Sequence, residues 1–149
     1  HAMDTMRMES GFLHWGHDIS PEENQYEAGL NFAISYKKET NFIGKKSLLK
    51  IKDKKKDRRL IMLSLKDSVP GHPLLLHEEP IYLDEKIIGK TTSGNYSFNY
   101  NKNLSFGYIN SNFSNDELLN KKLFIEVGKK KYSAIIEIKP LKNKKNTMF

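Results

Sequence analysis

Between Met6 and Leu30 the chain reads MRMESGFLHWGHDISPEENQYEAGL, and here it gathers a lone early arginine, its only tryptophan and two of its five histidines. The guanidinium of Arg7 is a planar fork of donors, matched in shape to a carboxylate or to the edge of a heterocycle. On residue types alone the plainer reading prevails, with Arg7 paired to Glu9 or Asp4 on a surface helix. Trp15 could stack on a flat ligand or cover a seam between two parts of the chain, and its type leaves both open. His14 and His17 lack further ligands nearby. His72 and His77 lie in or beside a Pro/Gly loop without zinc-type spacing, so a metal site is not expected.

Two other constellations suggest chemistry and do not sustain it. Ser93, in Thr91-Thr92-Ser93-Gly94, lacks the G-x-S-x-G pattern between a strand and a helix that a nucleophile elbow needs. With β-type segments on both sides it reads as a turn. The pairs Glu22-Glu23 and Asp84-Glu85 lack the apolar surroundings that raise a catalytic carboxyl's pKa, and they read as solvated. The lysine runs 54–56 and 129–131 read the same way.

Short elements must position these residues. Asp4 is placed to cap a helix over Thr5–Ser10, which Gly11 would end in the left-handed C′ position. His1-Ala2-Met3 reads as a remnant of tag cleavage and is set aside, so the helix is expected to be the tail of a longer one. Gly16 lets the backbone pass close to Trp15 or a ligand, and Asp18, Ser20 and Pro21 are turn chemistry. Asn31–Tyr36 alternates with a strand period. Phe42–Leu49 turns into a helix with a lysine-rich end, which suits its dipole.

The eight residues Lys52–Arg59 are all charged and form the best boundary. Beyond it the period becomes that of strands. Leu60–Leu65 is a nearly continuous apolar run, as in a strand buried on both faces, and Val69–His77 is a loop. Pro80–Leu83 and Lys86–Gly89 flank Asp84-Glu85 as a hairpin. Tyr96, Phe98 and Tyr100, then Leu104, Phe106 and Tyr108, alternate around a turn at Asn101–Asn103. A short helix is expected at Asn115–Asn120. Phe124–Val127 and Tyr132–Ile138 flank Gly128-Lys129 as another hairpin. About six short strands joined by tight turns predict a small barrel or sandwich, followed by a frayed tail from Lys142 to Phe149.

The bulk composition excludes several classes. The absence of cysteine removes disulfides, thiolate nucleophiles and cysteine-based zinc sites. It fits a reducing compartment, and the cytoplasm is the expected location. No apolar run approaches the length that crosses a bilayer, and no signal peptide is apparent. The net charge is +7, yet Arg7, Arg58 and Arg59 are the only arginines. Nucleic-acid sites draw on arginine for bidentate contacts, so the lysine excess argues for a solvated surface instead.

Three segments together resemble the aminomethyltransferase (glycine cleavage T-protein) family. They are the helix end Arg7–Gly11, the aromatic-Gly-x-Asp-Ile turn Trp15–Ile19, and Glu27–Leu30, with Gln25 standing where the family often has proline. The resemblance continues through Phe42–Leu48 and through Pro80–Tyr108. Its Ser-Gly-x-Tyr-Ser variant is closest in pattern to the folate-binding C-terminal region of dimethylglycine and sarcosine dehydrogenases. Tyr132–Ala134 and Pro140-Leu141 complete it.

The resemblance implies an α+β, mainly β chain. A remnant of the folate-binding α/β module (4–56) would precede a small C-terminal antiparallel β-barrel (57–149, with the barrel proper ending near Leu141). It implies the C-terminal fragment of a tetrahydrofolate-dependent one-carbon (aminomethyl) transfer enzyme, with FAD possible in an upstream domain. Folate and the upstream domains of the parent polypeptide are the implied partners. Arg7 would lie at the folate cleft and Trp15 beside it. Lys142, Lys144 and Lys145 could meet an acidic polyglutamate tail. The family's catalytic aspartate lies upstream, so the fragment would contribute one wall of the cleft and no proton transfer. The alternative from another class is a non-catalytic basic β-barrel module that docks an acidic protein or RNA.

Overall fold

A computed structural model of the chain describes residues 1–110, 112–138 and 140–141. Six strands, β1 (Arg58–Leu65), β2 (Pro80–Leu83), β3 (Lys86–Ser97), β4 (Lys102–Asn110), β5 (Leu123–Val127) and β6 (Lys130–Glu137), close into a barrel. Their order is β1-β4-β3-β2-β5-β6, and every neighbouring pair is antiparallel. Closure leaves no strand edge unpaired.

The run Leu60–Leu65 is apolar because its strand separates two cores. Ile61, Leu63 and Leu65 face the barrel interior with Leu75, Ile81, Ile125 and Ile136. Met62, on the other face, joins Leu104, Phe106 and the fully buried Met8. Met8 belongs to α1 (Ala2–Glu9), which lies against the outer wall at β3 and β4. The helix is stitched there by polar contacts too. Thr5 Oγ1 donates to the Tyr96 carbonyl at 3.1 Å, and the buried Glu9 carboxylate accepts from Ser97 and Asn99.

Five local expectations are corrected. The first helix starts at Ala2, so His1–Met3 cannot be set aside. Asp4 lies inside its first turn and caps nothing, its carboxylate being taken by Arg7 at 3.1 Å. Asn31–Tyr36 is a 3-10 turn at Asn31–Ala33 followed by irregular chain; with no strand beside it, its alternation has no sheet to serve, and Phe32 is exposed. The β3–β4 turn falls at 98–101, where Asn101 takes the left-handed conformation. Thr91–Gly94 is no turn: it lies inside β3, where the register with β4 shifts between Thr91 and Ser93.

Two further α-helices lie among the described residues. α2 (Lys45–Lys52) buries none of its residues, and α3 (Asn115–Asn120) opens with a capping box between Ser114 and Glu117. No helix among the described residues is long and apolar enough to cross a membrane. The lysines 142, 144 and 145 lie outside the described residues, as does the expected frayed tail.

Candidate functional site

The end of α1 sets the position of Arg7 and of the chain that meets it. Gly11 takes φ +77°, its N–H donates to the Met8 carbonyl at 3.0 Å, and the Phe12 N–H donates to the Arg7 carbonyl at 2.8 Å. This Schellman arrangement turns the chain back across the helix end. The Phe12 carbonyl then accepts from Arg7 Nη1 at 3.2 Å.

A tight turn comes next, in which the Asp18 N–H donates to the His14 carbonyl at 2.9 Å. The turn delivers the Asp18 carboxylate to the same guanidinium, with Arg7 Nη1 to Asp18 Oδ2 at 2.6 Å. Asp18 is fully buried and fully engaged. Its Oδ2 also accepts from the His14 N–H at 2.9 Å, and its Oδ1 accepts from Thr92 Oγ1 at 2.6 Å. Its carbonyl accepts from the Tyr108 hydroxyl at 2.9 Å, and burial pushes that hydroxyl's pKa upward.

The shift in β3 completes the cluster. Successive residues of a regular strand point to opposite faces, but a bulge lets neighbours share one. Thr92 reaches Asp18, and the adjacent Ser93 Oγ accepts from Arg7 Nη2 at 2.9 Å. With the Asp4 contact, four of the guanidinium's N–H groups are engaged. Of its five, the one without a partner among the described residues is on Nη2.

Arg7 thus pairs with Asp4 as its type suggested, while Glu9 turns to Ser97 and Asn99. It is no surface arginine, however: its side chain is 12% exposed and its shortest contact is to a buried carboxylate. Asp18, Thr92 and Ser93 were legible only as turn residues. The available signal was the isolation of Arg7, since an arginine drawn under cover needs a carboxylate.

The candidate residues do not converge on one cavity. Arg7 borders a pocket of about 160 Å³ with Asp4, His14, His17, His77 and Ser93. The His14 and His17 rings lie 4.5 Å apart there. Trp15, two-thirds exposed, lines a separate cleft of about 830 Å³ between the 10–32 segment and the barrel wall. Among the described residues, no group of three His, Asp or Glu is placed to hold a metal ion.

One carboxylate expected in solvent is not there. Glu23 is 10% exposed and meets Arg58 at 2.9 Å. Burial alone would raise its pKa, but the Ser20 hydroxyl and N–H, with Arg58, more than offset this and hold it below the ordinary value. A carboxyl depressed in the folded state stabilises above its unfolded pKa, and that contribution is lost as pH falls through the lower folded value. Ser20→Ala should therefore move the acid-side loss of stability to higher pH. Melting temperatures between pH 3 and 6, unchanged in profile from the parent, would count against it.

Comparison with known proteins gives matches along most of the chain. Residues 58–141 match the family model described as the glycine cleavage T-protein C-terminal barrel domain, and residues 1–38 match the GCVT N-terminal domain. Among curated relatives, the chain is 42% identical over 96 residues to 4-methylaminobutanoate oxidase (formaldehyde-forming) of Paenarthrobacter nicotinovorans, covering 64% of this chain and 11% of that protein. It is 35% identical over 142 residues to the mitochondrial dimethylglycine dehydrogenase of Homo sapiens, covering 95% of this chain and 16% of that one. The chain thus spans well under a fifth of the length of these relatives. The fold matches the crystal structure of the glycine cleavage system aminomethyltransferase T from Bartonella henselae with a TM-score of 0.78 at 22% identity, over 94% of this chain and 38% of that one.

Proposed function

Since the chain belongs to the glycine cleavage T-protein family, through that family's C-terminal barrel domain, we propose that it is the C-terminal region of a tetrahydrofolate-dependent one-carbon transfer enzyme. The observation that carries this reading is the pair of family matches, one over the barrel and one over the 1–38 segment that contains Arg7 and Asp18. We divide the chain into 4–56, a remnant of the folate module, and 57–149, the C-terminal barrel domain.

Arg7 is the folate contact in this reading. Support comes from the N–H left on Nη2 and from the cavity that Arg7 borders. Trp15, the second residue assigned to the folate in this reading, lines the larger cleft. The guanidinium is held rigidly by four bonds, so it would offer folate one oriented donor and not a free fork. Asp4 and Asp18, committed to Arg7, position it and take no proton from a substrate.

Two of the relatives support an amine oxidation as the source of the one-carbon unit. One of them is named as formaldehyde-forming and another as a dimethylglycine dehydrogenase. Folate would capture that unit in a cleft whose catalytic group lies in preceding sequence. The absence of cysteine suits the cytoplasm or another reducing compartment.

The 149-residue chain by itself should be catalytically silent, because one wall of a cleft cannot orient two reactants or exclude water. Incubated with tetrahydrofolate and formaldehyde, it should give no methylene-folate above the uncatalysed rate. The polypeptide that carries the preceding family module should bind tetrahydrofolate in a calorimetric titration. Turnover by the chain alone would show the chemistry to be misplaced, and a flat titration of the longer polypeptide would overturn the folate reading.

A further inference from the structure

The chain's whole net charge lies in one surface segment. Between positions 37 and 56, nine lysines stand against Glu39 and Asp53, a balance of +7 that equals the balance of the entire chain. The rest of the molecule is therefore neutral overall. Among the described residues, none of Lys37, Lys38, Lys46, Lys50, Lys54 and Lys55 enters an ion pair. The segment contains no arginine, and so lacks the bidentate fork on which nucleic-acid recognition draws. Neither of the two cavities described above is lined by it.

Apolar side chains project from among these lysines. The Lys45 N–H donates to the Phe42 carbonyl at 3.2 Å and Gly44 takes φ +88°, as at the second corner of a type II turn. Ile43 occupies the first corner and is fully exposed, with the partly exposed Phe42 beside it. α2 follows at once and buries none of its eight residues. Leu48 and Ile51 are half-buried, and the Leu48 carbonyl accepts from the Tyr26 hydroxyl at 3.4 Å. Lys46, Leu49 and Lys50, three and four positions apart, share a different face, and all three are exposed. A helix this short is not held by propensity alone. A cationic helix face with apolar side chains at its leading turn is suited to lie in the interface of a bilayer.

We infer that the 37–56 segment docks on an anionic membrane surface, with Phe42, Ile43 and Leu49 entering the headgroup layer and the lysines meeting the lipid phosphates and carboxylates. The charge decides between this and an interface inside one polypeptide. Such an interface would cover the apolar side chains, but it would also take unpaired ammonium groups out of water, which is costly. A membrane surface answers both features, since it accepts projecting apolar groups of any shape and attracts each lysine near it. Contact is with the surface only, because no helix among the described residues is long and apolar enough to cross. This goes beyond the folate reading and does not depend on it.

The probe is a vesicle of phosphatidylserine and phosphatidylcholine in equal parts, compared with one of phosphatidylcholine alone, and co-sedimentation reads the bound fraction. The chain should bind the anionic vesicles about tenfold tighter or more, and added salt should weaken that binding. Lys46→Glu with Lys50→Glu should lower it by about tenfold, and Ile43→Ser by about threefold, with far-ultraviolet circular dichroism unchanged. Lys129→Glu with Lys130→Glu, at exposed positions on the β5–β6 hairpin, makes the same change in net charge and should leave vesicle binding nearly intact. Equal binding to the two kinds of vesicle would overturn the inference. So would an equal loss from the hairpin pair, because net charge alone would then be at work. Tighter binding to single-stranded RNA or to a polyaspartate peptide would overturn it as well, since the segment would be reading charge without its apolar tip. The polypeptide that carries the preceding family module should bind the same vesicles. Loss of binding there would also overturn the inference, because Phe42, Ile43 and Leu49 would then be covered within the protein.

Discussion

Arg7→Ala is expected to destabilise the chain by roughly 3–5 kcal/mol, the usual cost of leaving one member of a buried ion pair without its partner. For a domain of this size that is a fall in melting temperature of about 10 °C. The reason is Asp18, which is fully buried and loses its 2.6 Å contact. A surface arginine at a helix end would cost about 1 kcal/mol at most, which is what its sequence position alone suggests. Arg7→Lys should recover part of the loss, since an ammonium can answer Asp18 but cannot also reach Asp4, Ser93 and the Phe12 carbonyl in one plane. Thermal melts of the parent and both variants decide the matter; a shift below about 3 °C for Arg7→Ala would mean that the cluster contributes little. The lysine variant is also the better probe of folate binding, because the alanine variant confounds affinity with folding.

Gly89→Ala should be about as damaging, for a steric reason. Gly89 lies in β3 opposite Ile109, and a Cβ built there would sit 1.9 Å from the Tyr108 carbonyl oxygen and 2.8 Å from the Ile109 Cα. Both are backbone atoms of β4, a strand paired on both sides, so neither can give way without breaking the barrel wall. Overpacking of side chains costs about 1–3 kcal/mol, and a clash with backbone should reach the top of that range or pass it. Gly128→Ala is the control. It has nothing within 4 Å, and its φ of +57° is a strain of about 1 kcal/mol for alanine. Urea denaturation that ranks Gly128→Ala as the more damaging of the two would refute the steric account.

The barrel was legible because its information is local. Alternation in Leu104–Tyr108 and the Gly128-Lys129 turn depends on residues a few positions apart, and so does the two-sided apolar run of β1. The Arg7 cluster was not legible, because its members come from three separate places. Asp18 and Ser93 reach Arg7 through the fold, and the bulge that turns Ser93 and Thr92 the same way leaves no compositional trace. Asn31–Tyr36 misled for the converse reason: alternation predicts a strand only where a neighbouring strand exists to pair with it. Arg59 reads as part of a charged boundary, and its bonds to Phe113 and Asn115 arise only through the fold.

The strand order also sets when, during synthesis, the molecule can become a molecule. β1 finds its two partners in β4 and β6, and Met62 is matched with Glu137, almost at the far end of the barrel. A nascent chain that has released β1 to β5 therefore holds an open sheet, with β1 still lacking one neighbour. Pairings so distant along the chain are slow to form, since loop-closure entropy is spent before the contact is made. Until β6 leaves the ribosome, β1 is an unprotected edge able to recruit another chain. Truncation anywhere within β6 should accordingly turn a folding domain into an aggregating one.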